Sequence, residues 1–98
     1  MAEIIWTATA LSDIDSIAAY ISLDSAFYAK QLVQKIFLAA EKLERYPEIG
    51  KIVRELPSYN YREILLKKYR IIYRVDFNNV YIVSVHHSSR LLSNNETL

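Results

Sequence analysis

Arg70, Arg74, His87 and Arg90 are the residues of this 98-residue chain that could do chemistry together. Guanidinium groups stabilise a phosphate whose charge builds in a transition state, and they grip carboxylates through two parallel hydrogen bonds. A histidine beside them titrates near neutrality and could serve as general acid or base. Tyr81 falls on the same strand face by alternation, and Arg62 joins the group if its strand pairs in the matching phase. Structural roles compete with these readings: Arg74 could pair with Asp76, and Arg70 with Glu63, to anchor a sheet. Arg90 lies just past the last strand, free to reach outward, and is the best single candidate.

The stretch that must position these groups is YRIIYRVDFNNVYIVSVHHSSR, residues 69–90. Side chains alternate with period two on both sides of Asn78-Asn79, a dipeptide suited to a tight hairpin turn. With those two residues as the loop, Phe77 faces Val80. Ile71, Tyr73, Val75, Phe77, Val80, Ile82 and Ser84 then share one face. Arg70, Ile72, Arg74, Tyr81, Val83, Val85 and His87 share the other, with Arg70 across from His87. His86 points to the core-facing side. Two earlier strands are expected, Lys51–Leu56, broken by Pro57, and Tyr61–Leu66. Lys67-Lys68 links the latter tightly to Tyr69. The length of that loop decides whether Arg62 or Glu63 faces the same side as Arg70, and the sequence leaves this open.

Upstream the period is helical. Glu3–Trp6 reads as a short strand, and Thr7 or Thr9 can cap the helix after it. Ala10, Leu11, Ile14, Ile17, Ala18 and Ile21 form its apolar stripe. Asp13 and Asp15 lie toward the end that the helix dipole favours. Asp24 or Ser25 starts a second helix reaching about Arg45, with Phe27 or Tyr28, Leu32, Ile36, Ala39 or Ala40, and Leu43 as its stripe. Pro47 and Gly50 stop it. Trp6 precedes the first helix and can staple against it. The expected class is α+β: an N-terminal strand, an antiparallel helical hairpin, then an antiparallel meander of three to four strands. Residues 1–92 read as one domain and 93–98 as a frayed polar tail.

Composition narrows the function classes. An apolar content of 52% supports one core and excludes disorder. The net charge is +1, so no bulk field draws nucleic acid. Acidic side chains outnumber basic ones in residues 1–50, and the reverse holds in 51–98, which makes the second half the positive pole. The eight tyrosines show no recurrent aromatic-basic interleaving of the kind that stacks RNA bases. Without cysteine there is neither a disulfide framework nor a thiolate metal site. His86 and His87 alternate on a strand and cannot ligate one metal together. No metal and no cofactor are expected. No apolar run reaches membrane-spanning length, so no membrane partner is expected and a cytoplasmic location is.

Several pieces taken in order resemble the RelE/ParE superfamily of bacterial toxins. They are Trp6-Thr7, a helix with Ile14 and Tyr20-Ile21, a second helix ending in Leu43, and Pro47-x-x-Gly50-Lys51. Arg62-Glu63, Tyr69-Arg70-Ile71-Ile72-Tyr73-Arg74 and Val85-x-His87-x-x-Arg90 continue the match. The resemblance implies the toxin of a type II toxin–antitoxin pair, of plasmid-stabilisation type, neutralised by a wrapping antitoxin that could also set an oligomeric state. RelE-like members cleave messenger RNA in the ribosome. In that reading Arg70, His87 and Arg90 would be catalytic. ParE-like members poison DNA gyrase, with Arg62, Arg70, Arg74, Tyr81, His87 and Arg90 as contacts to target or antitoxin. Where RelE-like chains carry a C-terminal histidine–tyrosine pair or an arginine, this chain has Ser88 and Ser89, and serine cannot shuttle protons near neutrality. The ending Val85-x-His87-x-x-Arg90-Leu91-Leu92 looks ParE-like, which makes gyrase the expected target and the ribosome with its message the alternative. Ile72, Val83 and Val85 would leave an apolar strip for an antitoxin segment to cover, unless the N-terminal segment buries it.

Overall fold

The computed structural model describes residues 1–89. Arg90 and the tail 93–98 lie outside the described residues. Strand β1 (Glu3–Trp6) leads into helices α1 (Ala8–Ser22) and α2 (Ala26–Glu41), the latter extended by a 3-10 turn at Lys42–Glu44. Strands β2 (Lys51–Ile52), β3 (Arg62–Leu66), β4 (Tyr69–Asp76) and β5 (Asn79–His87) come after it. They form one sheet of order β1-β5-β4-β3-β2. All its pairings are antiparallel except β1 with β5, which run parallel. The α+β class is the one the sequence indicates.

Both helices start on side-chain caps. Thr7 Oγ1 accepts from the Ala10 N–H at 3.2 Å, and Ser25 Oγ from the Tyr28 N–H at 3.2 Å, each relieving a donor with no partner inside the helix. Ala10 and Ile14 of α1 meet Leu32, Ile36 and Ala40 of α2, and then Ile71, Tyr73, Val80, Ile82 and Val85 of the sheet. Trp6 packs on Phe37 with ring centroids 4.5 Å apart. The stripe of α2 begins one or two residues later than expected. Ala29 replaces Phe27 and Tyr28, which are each 65% exposed. Phe27 stands two residues from Ala29, about 200° around the helix from it. Tyr28 instead lines a groove with Ile21, Leu32 and Tyr69.

Two details of the last hairpin differ from the expectation. The loop is Phe77-Asn78, because Asp76 pairs with Asn79 and Val75 with Val80. Phe77 therefore leaves the ladder. Farther along, Tyr73 opposes Ile82 while Ile72 opposes Ser84, so Val83 is an extra residue and β5 bulges there. The bulge reverses the phase of the rest of β5: Val85 joins the helical core, and Ser84 leaves that face. Arg70 opposes His86, whereas His87 opposes Tyr69. The expected facing of Arg70 and His87 is thereby overturned, as is a core-facing His86.

Asp13 explains how the bulge is tolerated. It sits in the second turn of α1, not the first, and serves β5 more than the helix dipole. Its Oδ2 accepts from the Val85 N–H and from the Ser84 hydroxyl, both at 2.9 Å. Parallel pairing with β1 has ended by then, since the Thr7 N–H and hydroxyl both donate to the Ile82 carbonyl. A side chain thus takes over where backbone pairing stops.

The middle of the second sheet face is covered as well. Val53 and Leu56 cover Ile72 and Val83, with Tyr61 and Tyr81 around them. Only Lys51–Ile52 of the expected Lys51–Leu56 strand is extended; the chain then turns across the sheet. The apolar strip expected on this face is therefore buried by the segment after β2. Gly50 fixes where that segment starts. The Tyr73 hydroxyl accepts from the Gly50 N–H at 2.9 Å, and burial pushes the Tyr73 phenol up from its ordinary pKa. A Cβ on Gly50 would lie 2.5 Å from the Tyr73 hydroxyl and 2.7 Å from the Glu63 carbonyl. Gly50→Ala is expected to cost about 2–3 kcal/mol by overpacking, read as a lower urea midpoint at unchanged slope.

Candidate functional site

The two-residue loop Lys67-Lys68 pairs Leu65 with Arg70 and Glu63 with Ile72. Glu63 therefore shares the face of Arg70, and Arg62 takes the opposite one with Tyr73. That settles the phase left open by the sequence, and it removes Arg62 from the arginine face. Arg62 Nη1 donates to the Gly50 carbonyl at 2.8 Å and to the Glu48 carbonyl at 3.3 Å, holding the Pro47–Gly50 turn.

Arg70 is only 6% exposed. Its Nη1 and Nη2 donate to both carboxylate oxygens of Glu55, at 2.7 and 2.9 Å. Nε and Nη2 donate to Glu63 at 3.2 and 2.5 Å. Hydrogen bonding to Glu55 raises its pKa above the ordinary arginine value; burial opposes that shift and Glu63 adds to it. One cation thus faces two carboxylates in a nearly dry place. Of the two structural pairs the sequence offered, Arg70 with Glu63 is present at short range. Glu55 is a partner that sequence reasoning missed, because residues 51–56 read as a strand and not as a segment folding back.

His86 lies beside Arg70 on this face, buried, with Nε2 against Ser84 Oγ. A hydroxyl has one hydrogen, and Ser84 gives it to Asp13. His86 Nε2–H is then the donor to Ser84. His87 is exposed on the other face. Its ring meets Tyr69 edge-on at 5.6 Å, and Nδ1 accepts from the Ser89 N–H at 3.2 Å. The residue expected to partner Arg70 is therefore separated from it by the sheet.

Arg74 is different. Its guanidinium carbon stands 4.2 Å above the centre of the Tyr81 ring, its direct cross-strand partner. Asp76 is 3.8 Å away, with both side chains of that pair substantially exposed, so the pair adds little. The Arg74–Tyr81 stack is the part of the arginine face open to a partner, about 13 Å along β4 from Arg70. Of the six residues expected at the site, it brings together these two. Arg70 is enclosed nearby, Arg62 and His87 face the other way, and Arg90 lies outside the described residues.

A second charged feature lies at the other end of β4. Ile21, Tyr28, Leu32 and Tyr69 line a groove of about 230 Å³, rimmed by Lys35, Lys67 and Lys68. A hydrogen bond from Lys67 and its charge lower the pKa of Lys35. No salt bridge among the described residues involves these lysines. No cluster of three or more metal-ligating side chains occurs among the described residues either.

The enclosure of Arg70 has a direct consequence for stability. Arg70→Met is expected to cost about 3–5 kcal/mol, because it leaves two carboxylates facing each other in a buried place. Replacing Glu55 and Glu63 by Gln and Leu in the same chain is expected to recover most of that loss. Arg74→Ala is expected to change stability by under about 1 kcal/mol, the scale of an exposed cation–π contact. Urea unfolding followed by circular dichroism reads all three.

Comparisons with known proteins agree with this architecture. Residues 4–92 match the family described as ParE toxin of type II toxin-antitoxin system, parDE. Toxin RelE2 of Caulobacter vibrioides is 35% identical over 92 residues, covering 93% of this chain and all of the relative. Among solved structures, the chromosomal ParDE toxin–antitoxin system from P. aeruginosa superposes with a TM-score of 0.75 at 23% identity. It covers 89% of this chain and 96% of that one. The toxin–antitoxin complex RelBE2 from Mycobacterium tuberculosis gives 0.60 at 27% identity, with 88% and 96% covered. With a two-helix layer on a five-stranded mixed sheet and a family match across nearly its whole length, this chain belongs to the ParE toxin family of type II toxin–antitoxin systems.

Proposed function

We propose that this toxin acts by binding DNA gyrase in the cytoplasm, in a plasmid-stabilisation role, and is kept inactive by a cognate antitoxin. The observation that carries the choice of target is the enclosure of Arg70 by Glu55 and Glu63. Cleaving a phosphodiester needs a cation with room for phosphate oxygens and a titrating group near the leaving oxygen. Arg70 is occupied by carboxylates, which would repel a phosphate, and the histidine beside it is committed to Ser84. His87 lies on the opposite face. A binding poison needs none of these groups free. The Arg74–Tyr81 stack offers it a cation and a ring at the surface, with Arg90 as the further contact the sequence suggests.

The antitoxin reading draws support from the two solved relatives, each described as a toxin–antitoxin system or complex. Because the apolar strip of the second sheet face is already covered by Val53 and Leu56, a different seat is favoured. Leu23, Phe27 and Tyr28 are exposed near the end of the lysine-rimmed groove. A segment mixing apolar and acidic residues suits that surface.

The rival is a ribosome-dependent messenger-RNA endonuclease using Arg70, His87 and Arg90. Two assays on the purified chain separate the readings. Loss of DNA supercoiling by gyrase, with messages intact in translating ribosomes and activity restored by antitoxin, is the expected result. Unimpaired gyrase together with cut messages would replace the proposal with its rival.

A further inference from the structure

Phe77 occupies a position that its residue type makes costly twice over. It is the first residue of the β4–β5 loop, with φ of 55°, while Asn78 has no positive φ. A positive φ at the first loop position alone is the pattern of a type II′ turn, where glycine is the usual occupant. A bulky side chain there crowds its own backbone. The ring gains nothing in return within the described residues, for it is 95% exposed and no ring contact among them involves it. The backbone around it is firmly held. Asp76 pairs with Asn79, and the Asn78 carbonyl accepts from the Glu3 N–H at 2.8 Å. A rigid turn presenting an unburied aromatic ring is how a folded chain offers an anchor to something else.

We infer that Phe77 is a recognition knob that enters an apolar pocket on the protein target of this toxin. This inference rests on the toxin reading above, and it names a residue absent from the expected site. The neighbouring charges choose the kind of partner. Asp76 adjoins Phe77 in sequence, and Glu3 pairs with Asn79 on the next strand. Two carboxylates at the tip disfavour a phosphate backbone, so a protein pocket fits better than nucleic acid. Arg74 and Val75, the latter also partly exposed, lie down the same strand end. The site lies apart from the lysine-rimmed groove, since β4 runs eight residues from Tyr69 to Asp76 between the two turns. That separation, about 25 Å, places the knob away from the proposed antitoxin seat.

The test uses the full chain with Phe77→Gly and Phe77→Tyr. A structural ring and a recognition ring give opposite signs. Glycine suits the backbone, so the Gly variant is expected to melt no lower than the native chain. Its antitoxin affinity is expected to stay within about twofold, while killing of a sensitive host on induction falls at least tenfold. The Tyr variant keeps the ring and is expected to keep killing. Full killing by the Gly variant would overturn the inference. So would a lower melting temperature that accounts for the lost killing, or an antitoxin affinity that falls alongside it. Nucleic-acid binding by the native chain that the Gly variant loses would reassign the knob to a polyanion. A native chain that never arrests growth would instead remove the toxin reading, and this inference with it.

Discussion

One extra residue in β5 decides which side chains meet in this molecule. Val83 has no partner of its own on β4, so every residue after it changes face relative to an unbroken ladder. Val85 enters the helical core because of it, and His86 arrives beside Arg70. His87 is turned to Tyr69 and solvent. Such a bulge disrupts ladder hydrogen bonds, and the disruption falls where β5 has also lost its other neighbour: β1 ends at Trp6 as α1 begins. Asp13 resolves both at once through the Val85 N–H and the Ser84 hydroxyl. A carboxylate on a helix is thus a condition for the register of a strand 71 residues away.

The bulge brings His86 to Arg70, and the glutamates settle what Arg70 can do there. A buried guanidinium is tolerated only if its donors are met. Glu63 meets them from the neighbouring strand, and Glu55 from the segment that crosses the sheet. The same ion network therefore pins that segment down, and Val53 and Leu56 seal the apolar residues beneath it. Packing and electrostatics are coupled in this corner: loosening the glutamates would uncover Ile72 and Val83. The functional cost is that the most deeply placed arginine of the face is withdrawn from any partner, leaving the Arg74–Tyr81 stack as its accessible part.

Much of this was legible in the sequence, for identifiable reasons. The period of 3.6 in residues 8–43 and of about two in residues 61–87 places the helices and the three main strands close to where they form. Residue type narrows the caps to Thr7 or Thr9 and to Asp24 or Ser25, of which Thr7 and Ser25 serve. Lys67-Lys68 could be named as a turn because apolar alternation stops on both sides of it. What could not be read depends on distant partners. The bulge rests on Asp13, which local reasoning assigned to the helix dipole. The covering of the second face rests on Glu55 and Leu56, inside Lys51–Leu56, expected to run on as a strand. Arg62 and Glu63 are adjacent, so their exchange of faces turned on a loop length.

The remaining difference, the loop at Phe77-Asn78, shows which force prevails when local and long-range preferences conflict. Asn78-Asn79 suits a tight turn far better than a sequence beginning with phenylalanine. Using it would have set Arg74 across from Val83, not Tyr81, and Tyr73 across from Ser84, not Ile82. The observed register keeps Ile82 in the core against Tyr73, whose hydroxyl must also reach Gly50. It also lets β1 run along β5 from Asn79 to Ile82. Several buried contacts and four strand pairings outweigh a turn preference on the order of 1–2 kcal/mol. Lys67 repeats the pattern at the opposite end of β4, with φ of 54° at the first position of its loop. Asn60 alone among the described non-glycine residues with positive φ is of a type that takes that conformation readily. The ladder fixes where each turn must fall, and the identity of the side chain left standing there is then free to be set by something other than folding.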